Sequence, residues 1–183
     1  MALKEFFQSW MIFIADTEKR RGTKMTQRID YMQQSPDFFK KMMELSITEQ
    51  ESTVEQEILH LVHIRASQMN GCGFCLDMHI KQAKIHGESE LRLYHIPIWR
   101  ESTLFNAREK ASLEWTEILT KIPEQGVPDE IYDRVRKQFS EKEISDLTFS
   151  IMTINAWNRL NVAFKSVPGS ADRAFGLTKA GLS

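Results

Sequence analysis

Apolar residues along this chain recur at intervals of three and four, in blocks that open on helix-entry signals. In "SPDFFKKMMEL", Ser35 stands where an N-cap belongs and Pro36 at the first helical position. Phe38, Phe39, Met42, Met43 and Leu45 then supply a wide apolar face. "STVEQEILHLVHIRASQM" opens on Ser52-x-x-Glu55, the spacing of a capping box, and carries Val54, Ile58, Leu61, Val62 and Arg65 at helical spacing. Asn70-Gly71 is a turn signal, and a new helix is predicted from about Cys72 to Gly87, a residue suited to the left-handed position after a helix. These two helices read as a hairpin. Asn106-x-x-Glu109 and Ser140-x-x-Glu143 open two more, with Pro123, Pro128 and Pro168 between or after them. "YHIPIW" is interrupted by a proline, and no series of alternating strands bounded by hairpin turns is visible, so the expectation is an all-α fold.

A chain of 183 residues is long enough for one well-buried core and short for two. Residues 1–24 read as an N-terminal extension, residues 25–169 as the folded domain, and residues 170–183, ending "GLTKAGLS", as a loosely held tail. The apolar run "FFQSWMIFIA" falls far short of the ~20 residues needed to cross a bilayer. Lys4 before it is offset by Glu5 and the basic cluster follows it, which is the wrong order for an export signal. A packing or subunit-contact helix fits better, and Met25 is an alternative start.

Charge narrows the partners. Lysine and arginine number 24 against 25 aspartate and glutamate, for a net charge of −1. No basic stripe with interleaved aromatics appears, so neither a nucleic-acid partner nor a membrane span is expected. Two cysteines do not make a disulfide-stapled secreted scaffold. A lone C-x-x-C pair points instead to redox or metal chemistry in a reducing, cytoplasmic setting.

The chemistry concentrates in "SQMNGCGFCLDMHIKQAKIHG". On a helix, Cys72, Cys75, Leu76, His79, Ala83 and His86 share one face. The two sulfurs then lie a turn apart, within reach of a disulfide. Cys72 is at the helix N-terminus, where backbone N–H groups and the helix dipole favour an anion, whereas Cys75 would gain its thiolate from His79. These effects do not say which sulfur attacks. A zinc site built from Cys72, Cys75, His79 and His60 is a rival, although zinc knuckles usually place C-x-x-C in a tight loop. Two small buried hydrophobes on a packed face is the bland alternative. His63, His86 and His95 read as surface or packing residues.

"LVHIRASQMNGCGFCLDMHIKQA", with "LYHIPIWRESTLFNAREKASLEWTE" and "FSIMTINAWNRLNVAF", resembles the carboxymuconolactone decarboxylase-like family in its alkylhydroperoxidase D-like (AhpD-like) branch, over roughly residues 25–169. The cysteine pair favours that branch over the decarboxylase. The resemblance implies a helical domain assembling as a homo-oligomer, trimer or hexamer. Its dithiol reduces organic hydroperoxides or hydrogen peroxide without haem, flavin or metal and is restored by an external dithiol reductant. It also implies that Cys75 is the peroxidatic cysteine, Cys72 the resolving one, and His79 part of a proton relay. The relay's usual glutamate, twelve residues before the first cysteine, is replaced in this chain by His60, with Glu57 one turn earlier. Phe74 occupies the slot where the branch can carry a histidine. Two other functions remain open: an oligomeric redox sensor without turnover, its Met42, Met43, Trp99, Trp115 and Trp157 forming a binding shell, and a decarboxylase- or lyase-like activity that would survive blocking of both thiols.

Overall fold

A computed structural model describes residues 26–182. The first 24 residues, with their apolar run and Met25, lie outside the described residues. Eight α-helices are described: α1 (Tyr31–Gln34), α2 (Pro36–Thr48), α3 (Gln56–Asn70), α4 (Gly73–Ile85), α5 (Glu90–His95), α6 (Ala107–Thr120), α7 (Asp129–Arg136) and α8 (Glu141–Phe164). Short 3₁₀ turns at Glu49–Glu51, Ile96–Ile98 and Leu177–Ala180 complete the order, and the described residues contain no strand. The fold is all-α.

Helix α3 is the axle of the molecule. Ile58, Leu59, Leu61, Val62, Ile64 and Ala66 are all buried, so its apolar residues run around the helix rather than along one stripe. One side packs with Trp115 of α6, Val135 of α7 and Leu147 and Ile151 of α8. The other packs with Ala83 of α4, Leu93 of α5, and Ile96, Trp99 and Phe105 of the connection that follows. Burying a side chain such as Leu61, with no exposed surface at all, contributes about 1.5–3 kcal/mol.

The helix entries follow local chemistry. Asn106 and Ser140 each form a full capping box, with Glu109 and Glu143 returning the hydrogen bond. Ser52-x-x-Glu55 does not. Helix α3 begins three residues later than that box requires, so Glu55 is itself the N-cap residue; it makes no side-chain cap, and its carboxylate instead pairs with Arg108. Ser52 Oγ accepts from the Val54 N–H, a local turn that replaces the cap. Gly71 closes α3 in the left-handed conformation (φ 65°), which a residue with a Cβ adopts only at a cost.

The C-terminal segment is not the loose tail its composition suggests. Ala171 and Leu177 are buried, and the Leu177–Ala180 turn packs on α4. Buried Lys81 of α4 clamps it, donating to Asp77 and Asp172 at 2.8 Å each, while Asp77 also accepts the Gly169 N–H at 2.9 Å. The apolar residues 171 and 177 are too sparse for a periodic signal, and the ion pair that holds them joins positions about 90 residues apart.

Candidate active site

Two residues, Gly71 and Cys72, turn the chain from α3 into α4, so the helices lie side by side with their histidines facing. Cys72 is the N-cap of α4. Its sulfur accepts from the Cys75 N–H at 3.4 Å, as a cap oxygen would. Both cysteines are free and buried, Cys75 with no exposed surface.

The two thiols are coupled and hold a proton unequally. The neighbouring Cys75 thiol, with the backbone N–H of Cys75 and the amide of Asn158, outweighs burial and lowers Cys72 to about 7. The Cys72 thiol, then burial and the charge on Cys72, push Cys75 well above the usual thiol range. The expectation that both thiols are depressed therefore holds for Cys72 alone, because the pair keeps one proton and the helix N-terminus decides which sulfur lacks it.

Helix α8 furnishes the surroundings with asparagines. Asn161 Nδ2 lies 3.5 Å from Cys75 Sγ, and its Oδ1 accepts from the Tyr31 hydroxyl at 3.2 Å. Asn158 donates to Ser67 at 3.1 Å and accepts from Asn70 at 2.9 Å, bracing the turn that carries Cys72. Asn155, Asn158 and Asn161 are all buried on a helix otherwise rich in apolar residues. Three asparagines at three-residue spacing in "INAWNRLN" are the available sequence signal, but helical periodicity alone assigns them no role.

His79 is buried one turn beyond Cys75, and its Nδ1 lies 2.8 Å from Gln82 Oε1. Because an amide oxygen only accepts, Nδ1 carries the proton and Nε2 keeps a lone pair. Burial lowers its pKa to about 4, so the ring is neutral at rest. The partner of its ring is His63, at 4.6 Å between centroids. Of the surface and packing roles read for His63 from the sequence, the placement fits packing. It is nearly enclosed, within 2.8 Å of Ser150 Oγ and 3.7 Å of a Glu49 carboxylate oxygen.

His60 faces elsewhere. It stacks on His86, Nε2 to Nδ1 at 2.8 Å, and burial together with His86 lowers its pKa to about 4. The pair lines an open cavity of about 590 Å³ with Glu57, Glu88, Arg92 and Glu109, into which neither cysteine projects. The four residues of the zinc alternative thus have separate surroundings, and among the described residues no three His, Cys, Asp or Glu side chains could hold a metal ion together.

Comparison with known proteins agrees with this architecture. Residues 36–117 match the model of the carboxymuconolactone decarboxylase family. YdfG of Bacillus subtilis, itself uncharacterized, is 42% identical over 139 residues, spanning 76% of this chain and 95% of that protein. A crystal structure from Agrobacterium tumefaciens, ATU0492, a protein of unknown function associated with antioxidant defence of the AhpD type, is 41% identical. It superposes with a TM-score of 0.75, covering 78% of this chain and 98% of the other. The debrominase Bmp8 shares the fold at 17% identity and a TM-score of 0.69, over 81% of this chain and 79% of its own. On the strength of the YdfG match, the family model and the ATU0492 fold, the chain belongs to the carboxymuconolactone decarboxylase family, in its AhpD-like branch.

Proposed function

We propose that the protein is a thiol-dependent peroxidase that cycles between a Cys72/Cys75 dithiol and a disulfide. The observation that carries this is the placement of Cys72 as the N-cap of α4, its sulfur accepting the Cys75 N–H at 3.4 Å and its thiol lowered to about 7, one turn from Cys75. Near neutral pH such a pair is a monoanion. Cys75 attacks the terminal oxygen of the hydroperoxide as its proton passes to the Cys72 thiolate. The O–O bond breaks, and that proton goes on to the departing alkoxide, giving Cys75 sulfenic acid and an alcohol. Cys72, a thiolate again, attacks the Cys75 sulfur, so the S–S bond forms and the S–O bond breaks. The departing hydroxide takes one further proton, for which His79, buried one turn beyond Cys75, is the imidazole on α4 closest to the pair. A dithiol reductant returns the two electrons.

The depressed pKa of Cys72 favours a second reading, in which Cys72 itself attacks and Cys75 resolves. Single-cysteine variants separate the two. Treating Cys72→Ser and Cys75→Ser with tert-butyl hydroperoxide and mapping sulfenic acid by mass spectrometry is expected to find it on Cys75 in the first and nowhere in the second. Sulfenic acid formed only at Cys72 would reverse the roles. A wild-type chain that consumes no peroxide in the presence of dithiothreitol would leave the sensor or lyase functions.

A homo-oligomer, trimer or hexamer, and a reducing cytoplasmic setting belong to the same reading. Phe38, Phe149, Met152 and Val162 are exposed apolar residues for which subunit contacts are the natural cover. Among the described residues no helix is long and apolar enough to cross a membrane.

A further inference from the structure

Glu49 has no part in the cycle above, yet it is set against the site from a separate element. It lies in the 3₁₀ turn after α2 and faces His63 of α3 and the 150–153 turn of α8. Its Oε2 is 3.7 Å from His63 Nε2, close enough for a strong charge interaction though long for a direct hydrogen bond. Its Oε1 is buried and has no hydrogen-bond partner. The Thr153 hydroxyl beside it donates to the Phe149 carbonyl at 2.8 Å, and Ser150 Oγ fixes the His63 ring at 2.8 Å. On its other side His63 meets His79, 4.6 Å away between centroids, and His79 is one turn from Cys75.

The three titratable groups are matched in an informative way. Burial, together with the neighbouring histidines, holds His63 far to the acid side, and burial lowers His79 to about 4. Neither imidazole carries a second proton at neutral pH, although each can pass one. Burial pushes Glu49 the opposite way, to about 7, with the neighbouring Thr153 side chain opposing it. Facing His63 are Glu49 from the turn, His79 from α4 and His60 from its own helix; facing Glu49 are His63, Ser150 and Thr153. Within this group only the carboxyl changes charge where the enzyme would work.

We propose that Glu49 is the proton store of the dithiol site, delivering through His63 and His79 the proton that hydroxide takes as Cys72 closes the disulfide on Cys75 sulfenic acid. The inference rests on the peroxidase reading. It supplies from the α2–α3 connection the carboxylate that the family resemblance puts at position 60, where this chain has histidine. Glu49 touches no reacting atom, so it is a positioning residue.

The test compares wild type, Glu49→Gln and Glu49→Asp in the full chain. Disulfide closure after a single addition of tert-butyl hydroperoxide would be followed by stopped-flow from pH 5 to 9, with histidine ¹⁵N resonances followed over the same range. In wild type, closure is expected to slow as pH rises through about 7, and the His63 resonances to step at that pH. Glu49→Gln should lose both features and close about tenfold more slowly below pH 7, within the span of general acid catalysis. Glu49→Asp should keep a step, displaced in pH, which identifies the carboxyl rather than the fold as the cause. A Glu49→Gln profile superimposable on wild type, or a wild-type His63 with no step, overturns the inference while the peroxidase reading stands. Absence of peroxide turnover in wild type overturns that reading and, with it, Glu49 as a proton store, even where the His63 step persists.

Discussion

Helices α3 and α4 carry two facing histidine pairs, and they differ in nearly everything except geometry. His60 and His86 stack at the edge of an open cavity and hydrogen-bond each other. His63 and His79 meet deeper in the molecule, where each ring has a hydrogen-bond partner outside the pair: Ser150 for one, Gln82 for the other. Carboxylates stand near both pairs: Glu57, Glu88 and Glu109 share the open cavity with the first, whereas Glu49 lies behind the second with its pKa raised by burial. Two imidazoles bonded to each other can exchange a proton but lead nowhere. A pair whose outer contacts fix the tautomer of one ring and set a carboxyl behind the other has a direction, from Glu49 toward Cys75.

The largest expected difference between the pairs is kinetic. His79→Ala should slow peroxide-driven disulfide formation by roughly 100-fold at pH 7, whereas His86→Ala should leave it within about threefold, as stopped-flow rates of tryptophan fluorescence change would read. Equal losses in both variants would erase the distinction.

Next comes stability against pH. Between about 6.5 and 4 the unfolded chain protonates its histidines while folded His60 and His79 stay neutral. Stability is therefore intact above that window and falls as pH is lowered through it, by roughly 3 kcal/mol for each. His60→Asn and His79→Asn should each flatten that fall in urea unfolding at pH 4 to 7. Glu49 has the opposite sign. Its folded carboxyl keeps a proton up to about 7 that a free glutamate loses at 4.5, so its contribution is present in acid and lost as pH rises. Glu49→Gln should thus gain on wild type at pH 8 and not at pH 4. A difference constant across pH would show that burial of the side chain, not its charge, is what counts.

The smallest effect is expected at the position where the sequence departs from its family's pattern. His60→Glu should change the peroxide rate by less than about threefold, since its side chain meets His86 and the cavity rather than His79. A rate gain near tenfold would reinstate position 60 as the relay's end.

Which features are legible in the sequence follows from how local they are. Capping boxes at Asn106 and Ser140, the left-handed Gly71 and the placement of Cys72 at a helix start depend on four or five consecutive residues, and their patterns are specific. The box at Ser52 does not form because Arg108, more than 50 positions away, takes the Glu55 carboxylate. His63 is hard to read for the same reason. Its spacing puts it on α3, but Ser150 and Glu49, which give it a role, come from α8 and from a turn before α3. The thiol asymmetry is invisible as well, since it depends on where one proton sits between two sulfurs rather than on residue order.

The clamp of Lys81 on Asp77 and Asp172 has a practical side. Pro168 lies over the first turn of α4, where a Cβ added at Gly73 would touch it at 3.5 Å, and the residues after it are held down by that one ammonium group. Anyone trimming the chain at residue 169, to remove what composition marks as dispensable, would leave Lys81 with half its counter-charge and uncover the part of α4 on which the Leu177–Ala180 turn packs. The loss would show as lower stability of the shortened chain toward urea, because a buried ammonium facing one carboxylate is less well compensated than one facing two.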